Sequence, residues 1–228
     1  MHVFQRVEQK YVLTEKEYKA LFKKIKSHIE KDYYFQSTIC NIYFDTDNNE
    51  YILRSLEKPM FKEKVRLRSY NVPKEDDIVF LERKGKFKGV VFKRRVEVKL
   101  KDIYKYLETG KIPKNNNPQI MAEIDYVIKK DNLKPKIFLA YDRECYHDKE
   151  DQNFRITFDK NLRSRLENLR LEEGDAGKLY SKEKIYIMEL KSLASVPMWF
   201  VKILSECKIY PKSFSKYGNI YKQLKEEL

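Results

Sequence analysis

Within Lys64-Val65-Arg66-Leu67-Arg68-Ser69-Tyr70, Arg66 and Arg68 alternate with Val65, Leu67 and Ser69 at the period of a β-strand, so one face is largely apolar and the other cationic. An ordinary half-buried strand turns its polar face to water and mixes Ser, Thr and Gln into it. Here that face is Lys and Arg, and the pattern recurs along the chain. Arg6, Glu8 and Lys10 alternate with Val7, Gln9 and Tyr11, and Glu82 and Lys84 flank Arg83 after Val79-Phe80-Leu81. Lys93 and Arg95 share a face opposite Phe92, Val96 and Val98. Arg155, Thr157 and Asp159 alternate with Phe154, Ile156 and Phe158, and Glu189 and Lys191 with Met188 and Leu190.

Several strands with one apolar and one charged face are hard to satisfy in an open sheet. A closed antiparallel barrel hides the first face under helices and gathers the second in its lumen. The expectation is an α+β fold, an eight-stranded antiparallel β-barrel tunnel with helices packed outside, formed by residues 1–228 as a single domain. No composition break, repeat or low-complexity tract marks a linker.

The elements follow from local signals. A strand is expected over 6–13, then a helix capped by Thr14 with Glu17 completing a capping box. Strands are expected over 38–45, 64–70, 78–85, 89–99, 137–146, 154–160 and 185–191. The link 85–89 reads as a hairpin with glycine at each end. Short helices are expected through 51–56, 102–109 and 120–128, from Val196 onward and after Pro211, with a long exposed loop ending at 174–177.

With 228 residues the chain can bury a substantial core, and its 14% aromatic content excludes a disordered chain. Forty-eight basic against 35 acidic residues give +13, which favours anionic partners. Three widely spaced cysteines build neither a disulfide framework nor a zinc knuckle. Without an apolar signal core or a span-length apolar segment, a cytoplasmic location is expected, with a membrane-protein partner left open. No RNA-binding signature accompanies the 17 tyrosines, so nucleic acid is not an expected partner. Asp45 and Asp47 look like a metal loop, but Asx-rich turns usually cap backbone groups.

A lumen holding Lys10, Arg66, Arg68, Lys84, Lys93, Arg95, Arg143 and Arg155 is wet and anion-loaded, because unpaired buried cations are costly. Arg forks match phosphate oxygens and Lys adds point charges. Carboxylates among them serve to pair cations or to hold Mg²⁺ or Mn²⁺ against phosphate oxygens. Glu8 and Glu82 read as orienting the cations. For Arg95 and Arg155, a lumen role and ion-pairing with Glu97 or Asp159 are equal readings.

The series Arg6-x-Glu8-x-Lys10-Tyr11, Ile42-Tyr43-Phe44-Asp45-Thr46 and Lys64 to Tyr70 resembles the VTC catalytic domain of polyphosphate polymerases, within the triphosphate tunnel metalloenzymes. The likeness continues through Phe80-Leu81-Glu82-Arg83-Lys84, Gly89 to Arg95, Tyr141-x-Arg143, Arg155 to Asp159, Met188-Glu189-Leu190-Lys191 and Phe214-Ser215-Lys216-Tyr217. It implies transfer of the γ-phosphate of ATP onto a polyphosphate chain with Mn²⁺ or Mg²⁺. By motif it implies phosphate contacts for Lys10, Arg66, Arg68, Lys84, Lys93, Arg143 and Lys216, hydrogen bonds from Tyr141 and Ser215, and metal binding by Glu189; Lys191 joins the substrate-binding set. Where the related triphosphatase and cyclase branch opens with Glu-x-Glu-x-Lys, this chain has Arg6, which favours the polymerase branch. A metal-dependent tripolyphosphatase or nucleoside triphosphatase, and a non-catalytic polyphosphate-binding module, are the alternatives.

Overall fold

The computed structural model describes residues 7–57, 59–88 and 90–226. Arg6, and with it the first position of the opening motif, lies outside them. The fold is α+β: among the described residues, an antiparallel sheet with six helices, and two cores that belong to two compact units.

The first unit comprises Met1–Ser37, Tyr141–Leu162 and Leu179–Lys216. Its strands are β1 (Val7–Thr14), the first part of β2 (Ile29–Asp45), the second part of β6 (Lys134–Asp148), most of β7 (Arg155–Arg165) and β9 (Ile185–Ser192). Helices α1 (Glu15–Ile25) and α5 (Met198–Glu206) cover the apolar face. Thr14 Oγ1 accepts from the Glu17 amide at 3.2 Å and Glu17 Oε2 accepts from the Thr14 amide at 2.7 Å, the expected capping box. Leu21 and Ile25 of α1 pack with Tyr11, Leu13, Phe154, Ile156, Phe158, Met188 and Leu190, so the non-charged positions of three strands form this core.

The second unit comprises Thr38–Ala140, Arg163–Lys178 and Tyr217–Leu228. It contains β3 (Phe61–Tyr70), β4 (Ile78–Phe87) and β5 (Val90–Lys99), beside the rest of β2 and β6. The helices are α2 (Glu50–Leu56), α3 (Leu100–Thr109), α4 (Pro118–Lys130) and nearly all of α6 (Lys216–Glu226). Val65, Leu67, Val79, Leu81, Val96 and Val98 form its core with Ile103, Met121, Ile124 and Phe138. β8 (Lys178–Leu179) is a two-residue strand directly after the stretch that the sequence reads as a loop.

Backbone hydrogen bonds order the strands β1-β9-β7-β6-β2-β3-β4-β5, with β8 paired to β7. Among the described residues this path is open: no ladder joins β1 to β5, where a ring closed by hydrogen bonds was expected. The free edges take local partners instead. The Glu97 amide of β5 donates to Asn116 Oδ1 at 3.0 Å, and the Lys10 carbonyl of β1 accepts from the Lys212 amide at 2.8 Å. Each of these bonds satisfies one backbone group of an edge strand.

The β4–β5 link is also tighter than expected. Both strands continue past Gly85, which pairs with Phe92 inside the ladder. A Cβ at Gly85 would overlap the Phe92 ring, so this glycine serves a close approach rather than a turn.

Candidate functional site

Register in the second unit gathers one face of four strands. Tyr43, Arg66, Glu82 and Arg95 form one cross-strand row, and Asn41, Arg68, Phe80 and Glu97 the next. Lys64, Lys84 and Lys93 form a third row on the same face, three like charges side by side. Lys64 belongs to this face because it lies two residues from Arg66, a signal that the strand period carries. Lys84 is exposed in this row.

Glu82 is the hub, with only 1% of its surface exposed. Its Oε2 accepts from Arg66 Nε and lies 2.7 Å from Arg66 Nη2, with Arg68 Nε at 3.9 Å. Its Oε1 meets Lys93 Nζ at 2.7 Å and Arg95 Nε at 3.3 Å. Burial works against its charge, yet Arg66, Arg68 and Lys93 overcome that and carry its pKa down to about 2. Burial outweighs Glu82 at Lys93, whose pKa falls. Arg68 is held by Asn41, donating from Nε to Oδ1 at 2.9 Å, and Asn41 in turn donates to the Leu139 carbonyl. Arg95 lies over the Phe80 ring, 3.5 Å from its centroid.

In the first unit, Glu8 pairs in register with Lys191 and Lys191 with Arg155; Lys10 pairs with Glu189 and Glu189 with Thr157. Lys191 Nζ lies 3.1 Å from Glu189, and Lys10 Nζ 3.5 Å from Glu8. Burial opposes the charge on Glu189, but Lys191, Lys10, a hydrogen bond with Glu8 and Arg143 hold its carboxyl far below the usual range. Arg143 forms a two-pronged bond to Asp159, Nε to Oδ1 at 2.6 Å and Nη2 to Oδ2 at 2.8 Å. Lys216 adds a contact to Oδ2 at 2.6 Å and sits 4.5 Å above the buried Tyr141 ring. Burial disfavours charge on Lys216, and Asp159 and Tyr141 outweigh it, so its pKa rises. Asp159 is thereby a site-shaping carboxylate in its own right.

Arg155 and Ser215 lie exposed. Arg155 donates to Asp32 at 2.7 Å. Neither Glu97 nor Asp159 pairs with Arg95 or Arg155: Arg95 turns to Glu82 and Arg155 to Asp32. Ser215 is exposed immediately before α6. Arg94 lies on the opposite face of β5 and donates to Glu123 at 2.9 Å. Asp45 is no metal loop: wholly buried, it accepts from the Tyr51 and Ile52 amides and from Tyr217, while Asp47 pairs with Lys134.

Among the described residues no group of three or more His, Cys, Asp or Glu side chains is placed to hold a metal. Glu189 and the adjoining Glu8 still suit a hard divalent cation, which commonly takes one or two carboxylates and draws its other ligands from phosphate oxygens and water. The buried Thr157 hydroxyl, next to Glu189 in register, has no hydrogen-bond partner among the described residues and marks the same spot as polar. Glu82 does not suit that role, because its oxygens already face four cations.

In the comparisons, a Bacillus halodurans protein described as a candidate adenylate cyclase shares the fold, with a TM-score of 0.57 at 16% identity over 92% of this chain and 93% of that one. A Pyrococcus horikoshii OT3 protein matches with a TM-score of 0.52 at 17% identity, over 96% and 99%. No curated protein matches the chain in sequence. The model of the VTC domain matches residues 5–225, across both compact units, and the chain therefore belongs to the VTC-domain family.

Proposed function

We propose that the protein is a polyphosphate polymerase, acting as one domain over residues 1–228, that transfers the γ-phosphate of ATP to the end of a polyphosphate chain. The observation that carries this reading is the charge imbalance around Glu82. Arg66, Arg68, Lys93 and Arg95 share that one buried carboxylate, and Lys64, Lys84 and Lys93 stack in register. Such a surface is stable when anions sit on it, and repeated phosphates supply them. In the reaction a terminal phosphate oxygen attacks the γ-phosphorus, the bond from that phosphorus to the β–γ bridging oxygen breaks, and ADP leaves with the electron pair. Arg66, Arg68, Lys84 and Lys93 hold phosphates, as do Lys10, Arg143, Lys191 and Lys216, with Tyr141 and Ser215 adding hydrogen bonds. Glu189 and Glu8 would hold Mn²⁺ or Mg²⁺, which neutralises developing charge on the phosphates. Arg95 orients Glu82. ATP and polyphosphate are the partners in this reading, and the cytoplasm, where ATP is abundant, is the location. Among the described residues no helix is long and apolar enough to cross a membrane.

Incubation with ATP and Mn²⁺, with products resolved by chain length, tests the reading. Long chains and ADP are expected; orthophosphate as the sole phosphate product would assign a triphosphatase, and binding without turnover a binding module. In the same assay Glu189→Gln should lose metal-dependent turnover by at least about 100-fold, while tripolyphosphate binding persists. Unchanged turnover would remove Glu189 from the metal.

A further inference from the structure

The motif Ile42-Tyr43-Phe44-Asp45-Thr46 contributes Tyr43 to the row of Arg66 and Glu82, and the reaction above leaves that tyrosine without a part. Its ring is buried, at 7% exposure, and stacks on Tyr217 with centroids 4.7 Å apart and 30° between planes. Tyr217 is itself pinned, since its hydroxyl donates to Asp45, and the Asp45 carboxylate also holds the first turn of α2. The Tyr43 hydroxyl therefore has a fixed place, and there it accepts from Arg66 Nη1 at 3.0 Å. Glu82 grips the same guanidinium at Nε and Nη2. A planar fork held at both ends keeps one orientation, and a long flexible arginine would otherwise lose rotamer freedom when it binds an anion.

We propose that Tyr43 is the positioning residue of Arg66: as a neutral phenol it orients the guanidinium for phosphate, and as a phenolate it becomes the counter-ion of Arg66 and competes with phosphate. The proposal rests on the reading of this face as a phosphate site.

The charged surroundings favour such a switch near neutral pH. Burial alone would raise the pKa of Tyr43, but Arg66, Lys64 and Arg68 of β3 outweigh it and bring it to about 8. The stacked partner does not share this behaviour, because burial and Asp45 push the hydroxyl of Tyr217 upward. Glu82 of β4 is turned to Arg66, and Lys136 of β6 to the Asp47 carbonyl. Tyr43 is thus the member of the stacked pair that ionises in the working range.

Tripolyphosphate affinity, measured by calorimetry from pH 6.5 to 9.5 on the wild-type chain and on Tyr43→Phe, tests this. Phenylalanine keeps the ring stack and removes only the hydroxyl. At pH 7 the variant should bind about 10-fold more weakly, as Arg66 regains rotamer freedom that it must lose again on binding the anion. Above about pH 8 the wild-type affinity should fall relative to the variant, roughly 10-fold per pH unit, so the ratio of dissociation constants closes and then inverts. Taking the ratio cancels the titration of the probe and of the lysines common to both chains. In an Arg66→Ala background, Tyr43→Phe should change nothing. A ratio independent of pH, or an undiminished effect without Arg66, overturns the proposal and leaves the phosphate site standing. A wild-type chain that does not bind tripolyphosphate at any pH overturns both.

Discussion

Strands β3, β4 and β5 carry arginines on both faces, and the two faces treat them in opposite ways. On the helix-covered face each arginine has its own carboxylate. Arg83 donates to Glu63 at 2.6 Å, and Arg94, its neighbour in register, donates to Glu123 of α4 at 2.9 Å. On the other face Arg66, Arg68, Lys93 and Arg95 share Glu82, with Lys64 and Lys84 in the adjoining row. One-to-one pairing is how a fold accommodates a structural charge. One buried acid shared among several cations is how it keeps a place for another anion. The first unit sits between these cases, with Glu8, Glu189 and Asp159 set against Lys10, Lys191, Arg143 and Lys216.

The largest effect expected from this contrast comes from the hub. Glu82→Gln leaves four cations without their common acid, at a cost of about 3–5 kcal/mol in urea unfolding at pH 7. Glu123→Gln on the helix-covered face, a partly exposed pair, should cost under about 1 kcal/mol. Tripolyphosphate should narrow the stability gap between wild type and Glu82→Gln, whose unpaired cations gain an anion, and leave the gap for Glu123→Gln unchanged, since binding to the folded state stabilises wild type and Glu123→Gln alike. The pH dependence has a definite sign. The pKa of Glu82 is depressed on folding, so its stabilisation is present above the unfolded value of about 4.3 and disappears as the pH falls through about 2. The gap between wild type and Glu82→Gln should close across that window. Equal losses from the two variants at pH 7 would break the contrast between the faces.

Arg66→Ala comes next. It removes a guanidinium that Glu82 and Tyr43 hold in place, and should weaken tripolyphosphate binding by about 1.5–3 kcal/mol, the range for a lost charge-assisted contact. Calorimetry at constant ionic strength measures it. An unaltered affinity would place Arg66 outside the phosphate site and shift the weight to the lysine row.

Much of this face was legible because strand period 2 is strict. Once Arg66 and Arg68 fall on one face, Val65 and Leu67 must fall on the other, and the ladders bear that out residue by residue. The same rule assigns Lys64 to the cationic face, where the charge-rich segment around it blurs the reading. What the pattern could not carry is whatever depends on partners distant in sequence. That Arg155 turns to Asp32, or Arg95 to Glu82 and the Phe80 ring, is decided by which strands become neighbours. The early half of β2, Ile29 to Ser37, was missed because its residues are mostly polar and Tyr33 and Tyr34 remain exposed, so no apolar alternation marks it. The open hydrogen-bond path was not legible either, and no local pattern ties Asn116 or Lys212 to the edge groups they bond.

The smallest expected effect is the sharpest control. Arg94 neighbours Lys93 and Arg95 in sequence, and by composition alone belongs with them. Register places it on the other face, where it is nearly half exposed and pairs with Glu123. Exposed pairs of this kind contribute little, so Arg94→Ala should cost under about 1 kcal/mol of stability. Tripolyphosphate affinity should change by less than about twofold, because a charge on the far side of a sheet is screened from the anion over roughly a Debye length. Lys93→Ala, one residue away, should weaken binding several-fold more than Arg94→Ala at the same ionic strength. Equal losses would mean that the anion responds to the summed charge of β5, and the alternation of faces would then have no bearing on what the protein binds.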